Sequence, residues 1–286
     1  MPGGSFDRTY ANSGDGGTGE ADPASVSGFR LDKYSVTVAR FRQFVTAWNN
    51  GSGYLPADGS GKHAYLNGGM GLMNSGAPGT YEAGWSAAND SNVAPTTTNL
   101  DCAYMTNQPT TWTASPGAND NRPMNCVNWY EAYAFCIWDG GFLPSDAEWG
   151  YAAAGGSEQR EYPWGSTPPG MANQYEINDC YYPSGSHNCT GIANIAPVGT
   201  ATLGVGKWGQ LDLLGDVMQW VLDVGGTNKL VDPCSDCAYT SPPNSGFVLR
   251  GGSYYFGSSP GSSATRGGDI STVRDTIYGF RCARAP

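Results

Sequence analysis

The chain has 286 residues, 42 of them glycine and 19 proline; only 14% are charged, and the net charge is −10 at neutral pH. That acidic balance makes nucleic acid or an anionic membrane surface a poor partner, and no apolar run approaches the roughly 18–20 residues a membrane helix needs. Nine tryptophans and 17 tyrosines argue against disorder, because aromatic burial offsets the entropy of ordering a turn-rich chain.

In chain order, Phe29-Arg30-Leu31-Asp32-Lys33-Tyr34 alternates apolar and polar and predicts a strand. Thr37 follows as an N-cap, and Phe41, Phe44, Val45 and Trp48 then share one face of an amphipathic helix. Residues 49–100 are rich in Gly, Ser, Asn and Thr and hold little periodicity, which predicts a long insertion lying on the surface. Asn50-Gly51-Ser52, Asn89-Asp90-Ser91 and Asn188-Cys189-Thr190 match glycosylation acceptors, a pattern common by chance. Order returns at Pro123. Trp129, Ala132, Tyr133 and Cys136 mark a second helical face, ended by Gly140-Gly141. Ser145-Asp146-Ala147-Glu148 is a capping box that opens a third helix through Trp149, Ala152 and Ala153, stopped at Gly155-Gly156. Beyond it lie short strands and turns.

Eight cysteines, an even number, point to disulfides and an oxidising, extracytoplasmic compartment. The chain opens on Met1-Pro2-Gly3-Gly4 without a signal-peptide pattern, so an export signal is expected to have been removed. Cys102 and Cys126 flank one polar loop, and Cys180 and Cys189 another. Cys234-Ser235-Asp236-Cys237 follows Pro233 with no helical pattern after it, which favours a local structural disulfide over redox chemistry.

Nine segments now stand in order. They are Met1-Pro2-Gly3-Gly4-Ser5-Phe6, Lys33-Tyr34-Ser35-Val36-Thr37, Asn128-Trp129-Tyr130-Glu131-Ala132, Leu143-Pro144-Ser145-Asp146-Ala147-Glu148-Trp149 and Tyr162-Pro163-Trp164-Gly165. Ala196-Pro197-Val198-Gly199, Leu213-Leu214-Gly215-Asp216-Val217-Met218-Gln219-Trp220, Arg250-Gly251-Gly252-Ser253 and Gly279-Phe280-Arg281-Cys282 complete the series. The series resembles the formylglycine-generating enzyme family, also called sulfatase-modifying-factor domains. The resemblance implies one loop-rich α+β domain over residues 1–286, related to C-type lectins, with 49–100 as the insertion. It also implies a disulfide between Cys136 and Cys282.

The resemblance further implies a structural calcium site at Asp212, the backbone carbonyls of Gly215 and Val217, and the side chain of Gln219. A hard cation wants several oxygens, and a tight turn can aim them at one point. Gln219 stands where the family usually has Glu, which removes one charge. Asn173, Asn178 and Asp179 are further candidates for a second such site.

The enzymes of the family carry two cysteines after the RGGS segment that bind copper(I), a soft metal suited to thiolates. Aligned on Arg250-Gly251-Gly252-Ser253, those positions fall on Phe256 and Gly261, and no cysteine occurs between Cys237 and Cys282. The copper-dependent oxidation is therefore expected to be absent, and no catalytic residue is assigned. A related branch uses non-haem iron held by a histidine cluster. This chain has only His63, in the insertion, and His187, in a cystine loop, and both are expected to be solvated loop residues. What remains is a Tyr- and Ser-rich surface of the kind used for adaptable binding: Ser253, Tyr254, Tyr255 and Phe256, with Arg266. The leading expectation is an exported, non-catalytic domain that binds a protein or glycan ligand through this C-terminal face. The same fold serves as the scaffold of retroelement-diversified binding proteins. The alternatives are an oxidoreductase of the same family with different metal chemistry, and a structural surface or matrix protein.

Overall fold

The computed structural model describes residues 1–12, 18–102, 109–225, 230–240, 246–255 and 262–286. Phe256 and Gly261, the aligned copper-ligand positions, lie outside the described residues.

The chain opens with a hairpin of β1 (Gly4–Asn12) and β2 (Thr18–Val26), followed by the short β3 (Arg30–Leu31). Helix α1 (Val38–Trp48) starts at Thr37, whose hydroxyl accepts from the Arg40 amide. The insertion contributes β4 (Met73–Asn74) and the single-turn α2 (Thr97–Leu100). Helix α3 (Trp129–Trp138) begins with a capping box between Asn128 and Glu131. Helix α4 (Asp146–Ala154) begins with one between Ser145 and Glu148 and ends at Gly155 in the left-handed region. Strands β5 (Met218–Val224), β6 (Cys234–Ser235), β7 (Cys237–Ala238), β8 (Phe247–Arg250), β9 (Arg266–Asp269), β10 (Tyr278–Phe280) and β11 (Ala283–Arg284) complete the fold.

The main sheet has the order β10-β5-β8-β9, parallel between β10 and β5 and antiparallel elsewhere. Strand β5 is buried at all seven positions, because both of its faces are covered. On one face Met218, Trp220, Leu222 and Val224 pack with α1 and α3, including Phe41, Phe44, Trp129 and Phe135. On the other, Val221 and Val248 pack with α4 and the N-terminal hairpin through Trp149, Ala152, Phe6 and Val26. Two indole bonds tie α3 and the residues just before it to the strand: Trp129 Nε1 donates to Val221 O at 2.8 Å and Trp220 Nε1 to Val127 O at 3.0 Å.

The expected strand at 29–34 shrinks to Arg30–Leu31, paired with β11. The insertion does not lie loosely on the surface. Leu66, Leu72, Trp85, Val93 and Leu100 enter the same core as α1 and α3, and Met73 pairs with Cys237. One buried side chain every several residues leaves no periodicity to read, yet each anchors its loop.

The expectation for His63 is corrected. It is fully buried, with Nδ1 3.0 Å from Glu82 Oε1 and Nε2 3.0 Å from Glu148 Oε2, and its ring lies 3.8 Å from that of Phe142. Two carboxylates remote in sequence create this site, and nothing local to His63 announces them. His187 is exposed, as expected, beside Asp179.

Burial alone would lower the His63 pKa, but Glu148 and Glu82 outweigh it and raise it to about 10. A base raised in the folded state stabilises fully below its unfolded value of 6.5, and that contribution is lost as pH rises to about 10. Calorimetry should therefore show the melting temperature falling between pH 6.5 and about 10, with His63→Gln flattening that part of the profile. His63→Ala leaves two buried carboxylates without their counter-charge, and denaturant unfolding should show a loss of about 3–5 kcal/mol.

Candidate functional site

The C-terminal face is built on the turn that follows β8. Gly251 has φ +94, and a Cβ there would meet Leu213 O at 2.4 Å, so only glycine lets the chain pass this close to the 212–217 turn. Its carbonyl accepts from the Gly215 amide at 2.7 Å, stitching the two turns together. Arg250 is buried beneath them, 4.9 Å over the Trp149 ring, with Nη1 donating to the carbonyls of Ala264 and Thr265.

The candidate ligand-binding residues divide by exposure. Ser253 is buried, and its hydroxyl accepts from the Tyr255 amide at 3.3 Å. Tyr254 is buried among Ile177, Cys180, Ile195 and Ala196; its amide donates to Asp216 O, and its carbonyl accepts from the Cys180 amide. Arg266 pairs with Asp146 at 3.0 Å. Tyr255 is 52% exposed and is the solvent-facing member among the described residues of this set. Phe256 continues the chain outside them.

The candidate calcium turn is tightly wired. Asp212 and Asp216 have φ of 55 and 63, and Gly215 has φ +78 with a Cβ position only 2.6 Å from Ile177 O. Asp212 Oδ2 accepts from the Gly199 amide at 2.7 Å. Burial pushes the Asp212 and Asp216 carboxyls up, and for Asp216 the neighbouring Asp212 charge adds to it. Asp216 Oδ2 is buried with no hydrogen-bond partner, the kind of orphaned oxygen a cation would satisfy.

Gln219 is committed elsewhere. Its Oε1 accepts from Trp149 Nε1 at 2.8 Å and Arg281 Nε at 2.6 Å, while its amide donates to Asp212 O at 2.8 Å. Arg281 is fully buried and spreads its guanidinium over the carbonyls of Asp32, Lys33, Leu211 and Asp212. The buried carboxyls of Asp212 and Asp216 are oxygen donors of the type a hard cation takes. Next to Gln219 Oε1 the positive charge comes from Arg281. Of the second candidate set, Asn173 donates to Tyr181 O and Asn178 to Glu176, Asp179 accepts from or pairs with His187, and the Oδ1 atoms of Asn173 and Asn178 are buried without partners.

All eight cysteines are in disulfides: Cys102–Cys126, Cys136–Cys282, Cys180–Cys189 and Cys234–Cys237. The Cys136–Cys282 bond links α3 to the C-terminal strand segment across 146 residues, and closing a loop that long contributes about 4–5 kcal/mol in the chain-entropy picture.

A model of the sulfatase-modifying factor enzyme 1-like domain matches residues 1–286. The chain is 28% identical over 304 residues to inactive C-alpha-formylglycine-generating enzyme 2 of Mus musculus, covering 99% of this chain and 84% of that protein. It is 29% identical over 228 residues to the formylglycine-generating enzyme of Thermomonospora curvata, covering 72% of this chain but only 63% of that enzyme, less than two thirds of its length. Among solved structures, PvdO from Pseudomonas aeruginosa shares the fold with a TM-score of 0.60 at 18% identity, over 100% of this chain and 93% of that one.

Thiol titration in denaturant provides a direct check on the cysteines. It should find none reactive without reductant and all 8 after reduction.

Proposed function

The chain belongs to the sulfatase-modifying factor enzyme 1-like family, and on that premise we propose that it is an exported, non-catalytic member that binds a protein or glycan ligand through its C-terminal face. The observation that carries this reading is the state of the cysteines. Copper(I) chemistry of the family's kind needs a pair of thiolates, and here every cysteine sulfur is already bonded to another. Phe256 and Gly261 supply no metal-binding side chain at the aligned positions. The similarity to a mouse protein named as inactive supports the same reading.

Export is supported by four disulfides, which persist in oxidising compartments. No helix among the described residues is long and apolar enough to cross a membrane. In the proposed binding face Tyr255 and Phe256 contact the ligand, while buried Ser253 and Tyr254 and the Asp146-paired Arg266 hold the segment in place. Tyrosine gives large contact area at low entropic cost, which suits such a surface. Metal analysis of purified protein combined with oxygen uptake on a cysteine-containing peptide tests the reading. Neither copper nor iron at one per chain, and no uptake, is expected; stoichiometric copper or iron with oxygen consumption would overturn it.

Calcium is part of the proposal as a structural ion. Asp212 and the carbonyls of Gly215 and Val217 would hold it, with Asp216 Oδ2 as an added oxygen, and Gln219 would brace the turn through its bond to Asp212 O. Calcium should raise the melting temperature above that in EGTA by an amount that grows with its concentration. An unchanged melting temperature would leave Arg281 as the cation of this turn.

A further inference from the structure

At the end of β8 opposite Ser253, a cleft of about 380 Å³ separates the insertion from α3 and the main sheet. That volume falls within the roughly 300–1,000 Å³ of small-molecule sites. Its wall holds Tyr81 from the insertion, Trp129, Tyr130 and Tyr133 from α3, and Phe247 from β8. Tyr81, Tyr130 and Asn89 are only half-buried, so the rim is open to solvent. The rings brace one another, with Trp129 centroids 4.3 Å from Phe247 and 5.2 Å from both Tyr130 and Tyr133. Their polar atoms are used in holding them still. Trp129 Nε1 donates to Val221 O, Tyr133 OH donates to Gly61 O, and Tyr130 OH accepts from Ser271. The cleft is therefore faced with fixed aromatic surface.

Among the described residues the one charged side chain that lines the cleft is acidic, and no Lys, Arg or His does so. Glu82 does, and behind it stands the buried His63 site, in which two carboxylates share a single imidazolium. Glu82 is itself buried. Its field reaches the wall: burial and then the Glu82 charge push the Tyr133 phenol up. The chain as a whole adds a net charge of −10. Aromatic faces are the negative pole of the ring quadrupole, so rings and buried charge favour the same ligand. Of the polar side chains in the lining, Asn74 has its Oδ1 turned to the amides of Gly76 and Thr240.

We propose that this cleft binds a small organic cation, an alkylated ammonium group whose methyls lie against the rings of Tyr81, Trp129, Tyr130 and Phe247. The weak hydration of such a cation lets it enter an aromatic site at low desolvation cost. This site is separate from the C-terminal face and does not depend on its reading.

The test is calorimetric or NMR titration of the intact chain with choline, with its neutral isostere 3,3-dimethylbutan-1-ol, and with glucose. Saturable choline binding is expected, with the isostere at least about 10-fold weaker and glucose silent. Tyr130→Leu and Tyr81→Leu keep apolar bulk but remove the quadrupole, and each should weaken choline about 5- to 10-fold. Asn89→Lys places a like charge on the rim and should abolish binding without touching the core, which keeps the test decisive even if a tyrosine variant misfolds. No choline binding, equal binding of the isostere or glucose, or unchanged affinity in Asn89→Lys would overturn the proposal.

Discussion

Strand β5 is covered on both faces, and it carries two polar side chains, Gln219 and Asp223, on the face toward α4. Buried this deep, each must find its partners within the protein or destabilise the fold. Gln219 does so by joining Trp149, Arg281 and the Asp212 carbonyl, which brings α4, the C-terminal strand segment and the 212–217 turn to one point. Asp223 accepts from the amides of Asp146 and Tyr239, fixing the start of α4 and the chain after the Cys234–Cys237 bond. Asp146 in turn pairs with Arg250 and Arg266 from β8 and β9. A protein with so little regular structure is held in register by these two side chains and by Cys136–Cys282.

The same wiring holds the frame together without any free thiol. Arg250, Gly251 and Arg281 serve the junction between turns and sheet, and their contacts are to backbone carbonyls, the Gln219 side chain and the Asp146 carboxylate. None of those contacts needs a reactive cysteine. Tyr254, next to Ser253 in the chain, places its ring in a small core cluster of its own. Among the described residues of this segment, the solvent-facing side chain is Tyr255. At the other end of β8, the insertion closes an aromatic cleft by setting Tyr81 and Glu82 against Trp129 and Tyr130 of the family segments.

Much of this was legible in the residues. Thr37 and Ser145 announced α1 and α4 through their side-chain caps, and Gly155 announced the end of α4, because capping depends on residues within one turn of each other. The loop disulfides Cys102–Cys126, Cys180–Cys189 and Cys234–Cys237 follow short-range proximity, while Cys136–Cys282 came with the family resemblance. Other features gave no local signal. The β1–β2 hairpin contains Asp22 at positive φ and Pro23 within a strand, which read as loop residues. The insertion's buried Leu72, Trp85 and Leu100 are too widely spaced to form a pattern.

The amino-acid sequence by itself determined the three longer helices α1, α3 and α4, the oxidised cysteines, the family frame and the absence of cysteine between Cys237 and Cys282, because each follows from residue identity or from neighbours a few positions away. Only the tertiary structure decided that His63 is a buried imidazolium, that Gln219 answers to Arg281 as well as to the 212–217 turn, and that an acidic, aromatic cleft forms at the far end of β8. Those outcomes rest on pairs separated by 19, 85 and 62 residues for His63–Glu82, His63–Glu148 and Gln219–Arg281. The pKa of a histidine and the occupant of a polar cavity depend on which distant charges folding brings alongside.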